Sequence, residues 1–322
     1  MTAYRRGLLT AALATLATPA LAQAPSPGML QSLNTLSARA NAGTVGVIAG
    51  GIDGTYARIA ADLAAVLDEP DGLRVLPILG KGSVQNISDI LVLRGVDVGI
   101  VQSDVLAYAR RERLLPGVEQ FIHYIAKLYD EEVHVLAGPG IATLADLAGR
   151  PVNVDGRGSG TAMTATILFD GIPIVPRHAP QDAALEQLRR GEIAALVYVA
   201  GKPARLFSGI PADSGLRFLP VPATPALLET YLPSTLAPAD YPTLVGGDPV
   251  ETVAVGAVMA AYAWAPASER HRKVARFVEA FFTRFPDFLR PPRHPKWREV
   301  DLAARVPGWT RFAPAAARVS QR

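Results

Sequence analysis

From Thr44 to Arg113 the chain switches three times between a short β-branched run and a longer stretch with apolar residues at helical spacing. "TVGVIAGG" is followed by "TYARIAADLAAVLDE", where Tyr56, Ile59, Leu63, Val66 and Leu67 share one side of a helix. "LRVLPIL" then precedes "GSVQNISDILVLR", and "VDVGIVQSD" runs into "SDVLAYARRER". Such alternation selects a parallel sheet, because neighbouring parallel strands need a connection long enough to hold a helix. Apolar strands bounded by turn residues fit a sheet buried on both faces.

Near Pro139 the pattern resets. "VHVLAGP" reads as a strand of hinge type, and Asp146 opens a turn, strand, glycine loop and helix in "DLAGRPVNVDGRGSGTAMTATILFDGI". "APQDAALEQLRRGEIAALVYVAG" gives a helix, a turn at Gly191 and an apolar strand, and "LRFLPVP" gives another strand. The Pro-rich region 220–249 reads as loops with a short helix around Pro225 to Tyr231. "VETVAVGAVMAAY" is a return strand, and "SERHRKVARFVEAFFTRFPDFL" a long amphipathic helix. The expected organisation is an α/β chain of two lobes, each a mainly parallel sheet flanked by helices. Residues 44–137 and 253–322 form lobe 1 with the C-terminal helix and basic tail, and residues 138–252 form lobe 2.

Residues 1–22 read as a cleaved secretory signal: Arg5 and Arg6, an apolar run from Leu8 to Ala17, then Ala20-Leu21-Ala22. The Arg pair resembles a twin-arginine signal only faintly, so the export route stays open. Residues 23–43 read as a flexible leader. No later run reaches the roughly 18 apolar residues of a membrane helix, so an exported, soluble mature chain is expected. The absence of Cys excludes disulfides and thiolate metal sites.

The formal charge of +3 is unevenly held. From Ala265 onward 13 Lys/Arg face 5 Asp/Glu, whereas between Gln23 and Trp264 only 17 face 24. A nucleic-acid binder carries a basic working face with aromatic residues interleaved, which argues against that partner.

Three strands end in small or amide-bearing residues just before a helix: Gly50 to Tyr56, Gly80 to Asn86, and Gly156 to Thr161. In an open parallel sheet, ligands sit beyond the carboxyl ends of the strands. There, glycines admit close backbone approach, and a helix's first turn offers unsatisfied N–H groups with a positive end. A shared site for a small anion follows, with Lys81 and Arg157 beside the loops to pair with carboxylates. Each loop alone is also accounted for by helix capping. Gln102, Ser103 and Asp104 can supply amide, hydroxyl and carboxylate contacts, and Asp104 would suit an ammonium group.

Catalytic patterns are sparse. The spacing of a dinucleotide fingerprint is absent, as are GK[ST] and HExxH, and no G-x-S-x-G surrounds Ser83, Ser103 or Ser159. His134 reads as a packed core residue, and Asp130-Glu131-Glu132 as a solvated turn. No catalytic residue, metal ligand or cofactor is nominated.

The order and spacing of "AGGIDGTY", "GSVQN", "VDVGIVQSD", "LADLAGRPVNV", "GSGT", "GEIAALVYVAGKP" and "VETVAV" resemble the TAXI group of TRAP-transporter solute receptors over about Val45 to Ala260. The resemblance implies a periplasmic-binding-protein fold of type II, a Venus flytrap closing on a ligand. It implies a periplasmic, monomeric receptor that captures a small carboxylic acid, glutamate-like or a 2-oxo dicarboxylate. Delivery would be to the permease subunits of a TRAP transporter, with no chemistry done. The contacts it implies are Gly51, Tyr56, Ser83, Asn86, Gln102 and Asp104, then Ser159, Gly160, Thr161, Tyr198 and Pro203. Lys81 stands where such receptors have small residues, and Ala195 where an Asp is usual. A sensing receptor feeding a signalling partner, or a hydrolase or transferase using Ser159, are the alternatives.

Overall fold

The computed structural model describes residues 26–69 and 72–321, so the expected signal segment 1–22 lies outside the described residues. The chain falls into two compact units, Met1–Asn41 and Ala42–Arg322. Among the described residues, the first carries α1, which spans Pro27–Ala42. Ser26 Oγ accepts from the Met29 N–H at 3.3 Å, and Pro27 sits in the first turn, where a missing N–H breaks no bond. None of the helix is buried. The stretch expected as a flexible leader thus carries a helix, since Leu, Ala, Gln and Arg after Pro27 all favour one.

In the second unit, chain order begins β1 (Thr44–Ile48), α2 (Thr55–Leu67), β2 (Arg74–Ile78), α3 (Ser83–Val92), β3 (Val98–Gln102) and α4 (Val105–Arg111). β4 (Ile122–Ala137) leads to β5 (Pro151–Asn153), α5 (Gly160–Leu168), β6 (Val175–Arg177), α6 (Gln181–Arg189) and β7 (Ala195–Ala200). Then come β8 (Arg217–Phe218), α7 (Pro225–Leu228), β9 (Leu232–Leu236) and β10 (Val250–Tyr262). The chain closes with α8 (Glu269–Thr283), α9 (Phe285–Phe288) and α10 (Ala313–Ser320). The long helix expected over 268–289 is divided after Thr283, and Pro286, which cannot donate within a helix, sits in the short second piece.

One sheet runs β2-β1-β3-β10-β4-β7-β5-β6, with β8 beside β4 and β9 beside β10. β1 is parallel to β2 and β3, and β5 is parallel to β6 and β7. Each parallel triad has its first strand in the middle, and each meets one long antiparallel strand, β10 or β4. This repeated arrangement is an α/β fold of two parallel triads joined through two long antiparallel strands. It points the glycine loops that follow β1 and β5, together with Gln102 at the end of β3, toward common ground.

β4 and β10 tie the halves together by passing from one apolar core to another. Along β4, Ile125, Ala126, Leu128 and Tyr129 belong to the core under α2 and α8, while Val133, Val135 and Ala137 belong to the core under α5. Along β10, Val253 and Val255 belong to the second core, and Ala257, Met259 and Ala261 to the first. The change of core therefore falls inside strands. Gly256 and Asp130, opposite each other in register, mark it. The Asp130-Glu131-Glu132 run is accordingly not a solvated turn: it lies within β4, and Glu131 and Glu132 are each 3% exposed. A strand buried on both faces lacks the alternation that would have revealed it.

The Arg-, Pro- and Trp-rich tail packs against the first core. Trp297 is fully buried, its ring centroid 4.3 Å from that of Phe288 and its Nε1 donating to Asp62 Oδ2 at 2.8 Å. Lys296 reaches the change of core, placing Nζ 2.9 Å from Glu132 Oε1 and 2.9 Å from Glu299 Oε1. Burial disfavours the ammonium, but the two carboxylates outweigh it and raise the Lys296 pKa. Glu132 Oε2 also accepts from the Lys202 N–H at 2.9 Å. Among the described residues no helix is long and apolar enough to cross a membrane.

Lys296→Met keeps most of the stem and strands Glu132, so it should destabilise the chain by about 3–5 kcal/mol, read as a lower urea midpoint. An unchanged midpoint would show that the ion pair does not hold the tail.

Candidate functional site

α2, α3 and α5 all begin against one small cavity. Its volume is about 50 Å³, and its lining includes Tyr56, Ser83, Gly160 and Thr161 from their first turns. α2 has Gly54 as N-cap with no side-chain cap, and Thr55 Oγ1 donates to the Gly201 carbonyl at 3.2 Å. α3 has Gly82 as its N-cap, whose φ of +102° favours glycine. Its first turn is fastened by Asn86: Nδ2 donates to the carbonyls of Ala49 and Ile100, both at 2.8 Å, and Oδ1 accepts from Gly82 N–H at 3.2 Å. At α5, Ser159 Oγ accepts from the Ala162 N–H at 3.0 Å as N-cap, and Thr161 Oγ1 accepts from Val199 N–H at 3.1 Å.

The first turns of α3 and α5 touch directly. Gln85 N–H donates to the Gly158 carbonyl at 3.0 Å, and Gln102 Nε2 donates to Thr164 Oγ1 at 3.3 Å. Ser83 Oγ accepts from the Gln102 N–H at 2.9 Å. Gly160 permits this closeness, since a Cβ there would stand 2.2 Å from Gln102 Oε1 and 2.7 Å from Ser83 Oγ.

Outward, a second cavity of about 740 Å³ shares Gly51, Gly54, Lys81, Asp155, Ser159 and Tyr198 with the first and adds Arg157 and His178. The outer volume lies within the roughly 300–1,000 Å³ of small-molecule sites. The inner space suits only the head of such a solute.

Of the residues expected at the site, Gly51, Tyr56, Lys81, Ser83, Gln102, Ser159, Gly160, Thr161 and Tyr198 line the inner cavity, and Arg157 lines the outer one. Asn86 and Pro203 line neither: Asn86 spends its amide on the carbonyls of Ala49 and Ile100, and Pro203 is exposed. Asp104 lines neither as well. It is buried, its Oδ2 accepts from Tyr231 Oη at 3.1 Å, and burial lifts its pKa to about 6 despite that bond. The aspartate that lines both cavities is Asp155. Burial raises the Asp155 pKa, opposed by hydrogen bonds from Gly156 and Ser159.

Sequence reasoning missed Glu131. It lines the inner cavity, and Tyr56 Oη donates to its Oε2 at 2.6 Å. Burial pushes its pKa up to about 8; the Tyr56 bond and Lys296 pull it down, while Glu132 and Asp104 push it further up. Burial therefore favours the protonated carboxyl. The available signal was three acids set between apolar runs on both sides, "HYIAKLY" and "VHVLA". His134 is fully buried, as expected, with its ring nitrogens 3.2 Å from the Tyr198 carbonyl and 2.7 Å from Tyr241 Oη; burial lowers its pKa to about 3.

A profile of the NMT1-like family matches residues 47–289. Among solved structures the chain is similar to the substrate-binding protein of an amino acid ABC transporter, at 12% identity over 76% of this chain and 97% of that one, TM-score 0.48. It is similar to the alkanesulfonate-binding protein SsuA from Xanthomonas axonopodis pv. citri bound to MOPS, at 13% identity over 87% and 84%, TM-score 0.47. The periplasmic aliphatic sulphonate binding protein SsuA from Escherichia coli is 16% identical over 87% and 79%, TM-score 0.45.

Gly160→Ala should push the Gln102 carboxamide off Thr164 and cost about 1–3 kcal/mol of stability. In that background Gln102→Ala should cost less than it does in the wild type, a coupling on the order of 1 kcal/mol in a double-mutant cycle. Additive losses would show that the two side chains do not compete for one space.

Proposed function

The chain belongs to the NMT1-like family, and from that footing we propose that it is a solute-binding protein of a transporter, holding a small carboxylic acid without transforming it. The observation that carries the reading is the convergence of three helix N-termini on one cavity. Each brings unsatisfied N–H groups and the positive end of a helix dipole to a space of about the size of a carboxylate. Lys81 at the inner cavity and Arg157 beyond it add cationic partners. The outer cavity gives room for the body of a glutamate-like acid or a 2-oxo dicarboxylate, and a TRAP-type permease is the proposed recipient.

Catalysis by Ser159 is the weaker reading. Its Oγ is engaged as the cap of α5, and His178, the histidine that lines the outer cavity, has Nδ1 bonded 2.8 Å from the Asp155 carbonyl. A serine nucleophile needs a base within reach of its own proton.

A panel of dicarboxylates and acidic amino acids should raise the melting temperature with concentration, equivalent to about 2.7 kcal/mol at a hundredfold excess over Kd. Lys81→Met should weaken the best of them about tenfold, or about 1.4 kcal/mol. No shift with any acid, in protein shown by native mass spectrometry to be free of bound solute, would overturn the reading.

A further inference from the structure

Glu131 lines the inner cavity and, among the described residues, forms no ion pair. The titratable and charged groups facing it are Tyr56 from α2, Tyr129 and Glu132 from β4, Asp104 after β3, and Tyr198 from β7. Lys296 comes from the tail, with Glu299 behind it, and Lys81 and Asp155 line the same cavity. The Lys296 ammonium is already held between Glu132 and Glu299, each at 2.9 Å. Lys81 is exposed at the mouth. An ionised Glu131 would thus sit buried beside other acids, facing three helix N-termini that are offered to a different anion.

A neutral carboxyl has one O–H and one carbonyl oxygen. Tyr56 Oη donates to Oε2 at 2.6 Å, which leaves Oε1 to carry the proton. We propose that Glu131 is a binding residue that enters the site as an un-ionised acid and donates its O–H to the anionic head of the solute. Such an O–H···O⁻ bond belongs to the strong charge-assisted kind. The inference rests on the solute-binding reading and narrows it: the buried end of the solute is an oxyanion acceptor, not an ammonium.

The consequence is a proton linkage. A bound anion disfavours a second negative charge beside it, so binding raises the Glu131 pKa further and, above the free-state value of about 8, draws in a proton. Below that value the acid is already protonated and affinity is flat. Above it, affinity falls by up to tenfold per pH unit. Tyr56 holds the ionised form by its hydrogen bond, so its removal moves the fall to higher pH.

The test is isothermal titration with L-glutamate and with 2-oxoglutarate at pH values on both sides of about 8, in two buffers of different ionisation enthalpy. The wild type should lose about tenfold in affinity for each unit above the midpoint and take up as much as one proton per solute there. Glu131→Gln retains an N–H donor without the titration, so its affinity should stay level through the same range and show no proton uptake. Tyr56→Phe should shift the fall upward. If the wild type and Glu131→Gln share one profile, or if Glu131→Gln binds neither acid where the wild type binds, the inference is wrong and solute binding stands. Failure of the wild type to bind either acid at any pH removes the functional reading and this inference with it.

Discussion

Helices that start against a common space must find partners for their first-turn N–H groups, and three of them start here. α3 and α5 answer part of that demand from within the chain, through Asn86, Ser159 and the contact between Gln85 and Gly158. The remaining donors surround a volume too small for a whole metabolite. The close approach is possible because position 160 lacks a side chain, so Gln102 occupies the place a Cβ would fill. The cavity is thus a product of backbone packing, and helix ends stand beside Lys81, Glu131 and Asp155 in its lining.

The second organising feature is the passage of β4 and β10 between cores. Carboxylates are costly inside a sheet, yet β4 places Glu131 and Glu132 together at the change of core. The two are treated differently. Glu132 is neutralised by Lys296 from the tail and bonded to the Lys202 backbone, which welds the C-terminal segment to the junction. Glu131 forms no such ion pair among the described residues, accepts from the hydroxyl of Tyr56 and lines the cavity. Neighbouring acids on one strand therefore differ in setting, one bound into the fold and one lining the cavity.

The strand and helix order was legible because β-branched runs and helical spacing report directly on burial. Gly82 and the 156–160 loop were legible as well, as punctuation before helices. Glu131 was hidden: a strand buried on both faces has no alternation, so three acids in it look like a turn. Asp104 and Asp155 look alike in sequence, since each follows a strand and precedes a helix, and the sheet order decides that Asp155 meets the cavity. Asn86 was expected as a ligand contact, but its amide is consumed by the carbonyls of Ala49, just past β1, and Ile100, within β3, a pairing no local sequence window contains.

A crystal structure of the protein with the acid it binds most tightly tests the central claim most directly. The account predicts one carboxylate in the inner cavity, its oxygens about 3 Å from backbone N–H groups at the starts of α2, α3 and α5. A solute lying wholly in the outer cavity, or turning an ammonium toward Glu131, would contradict it.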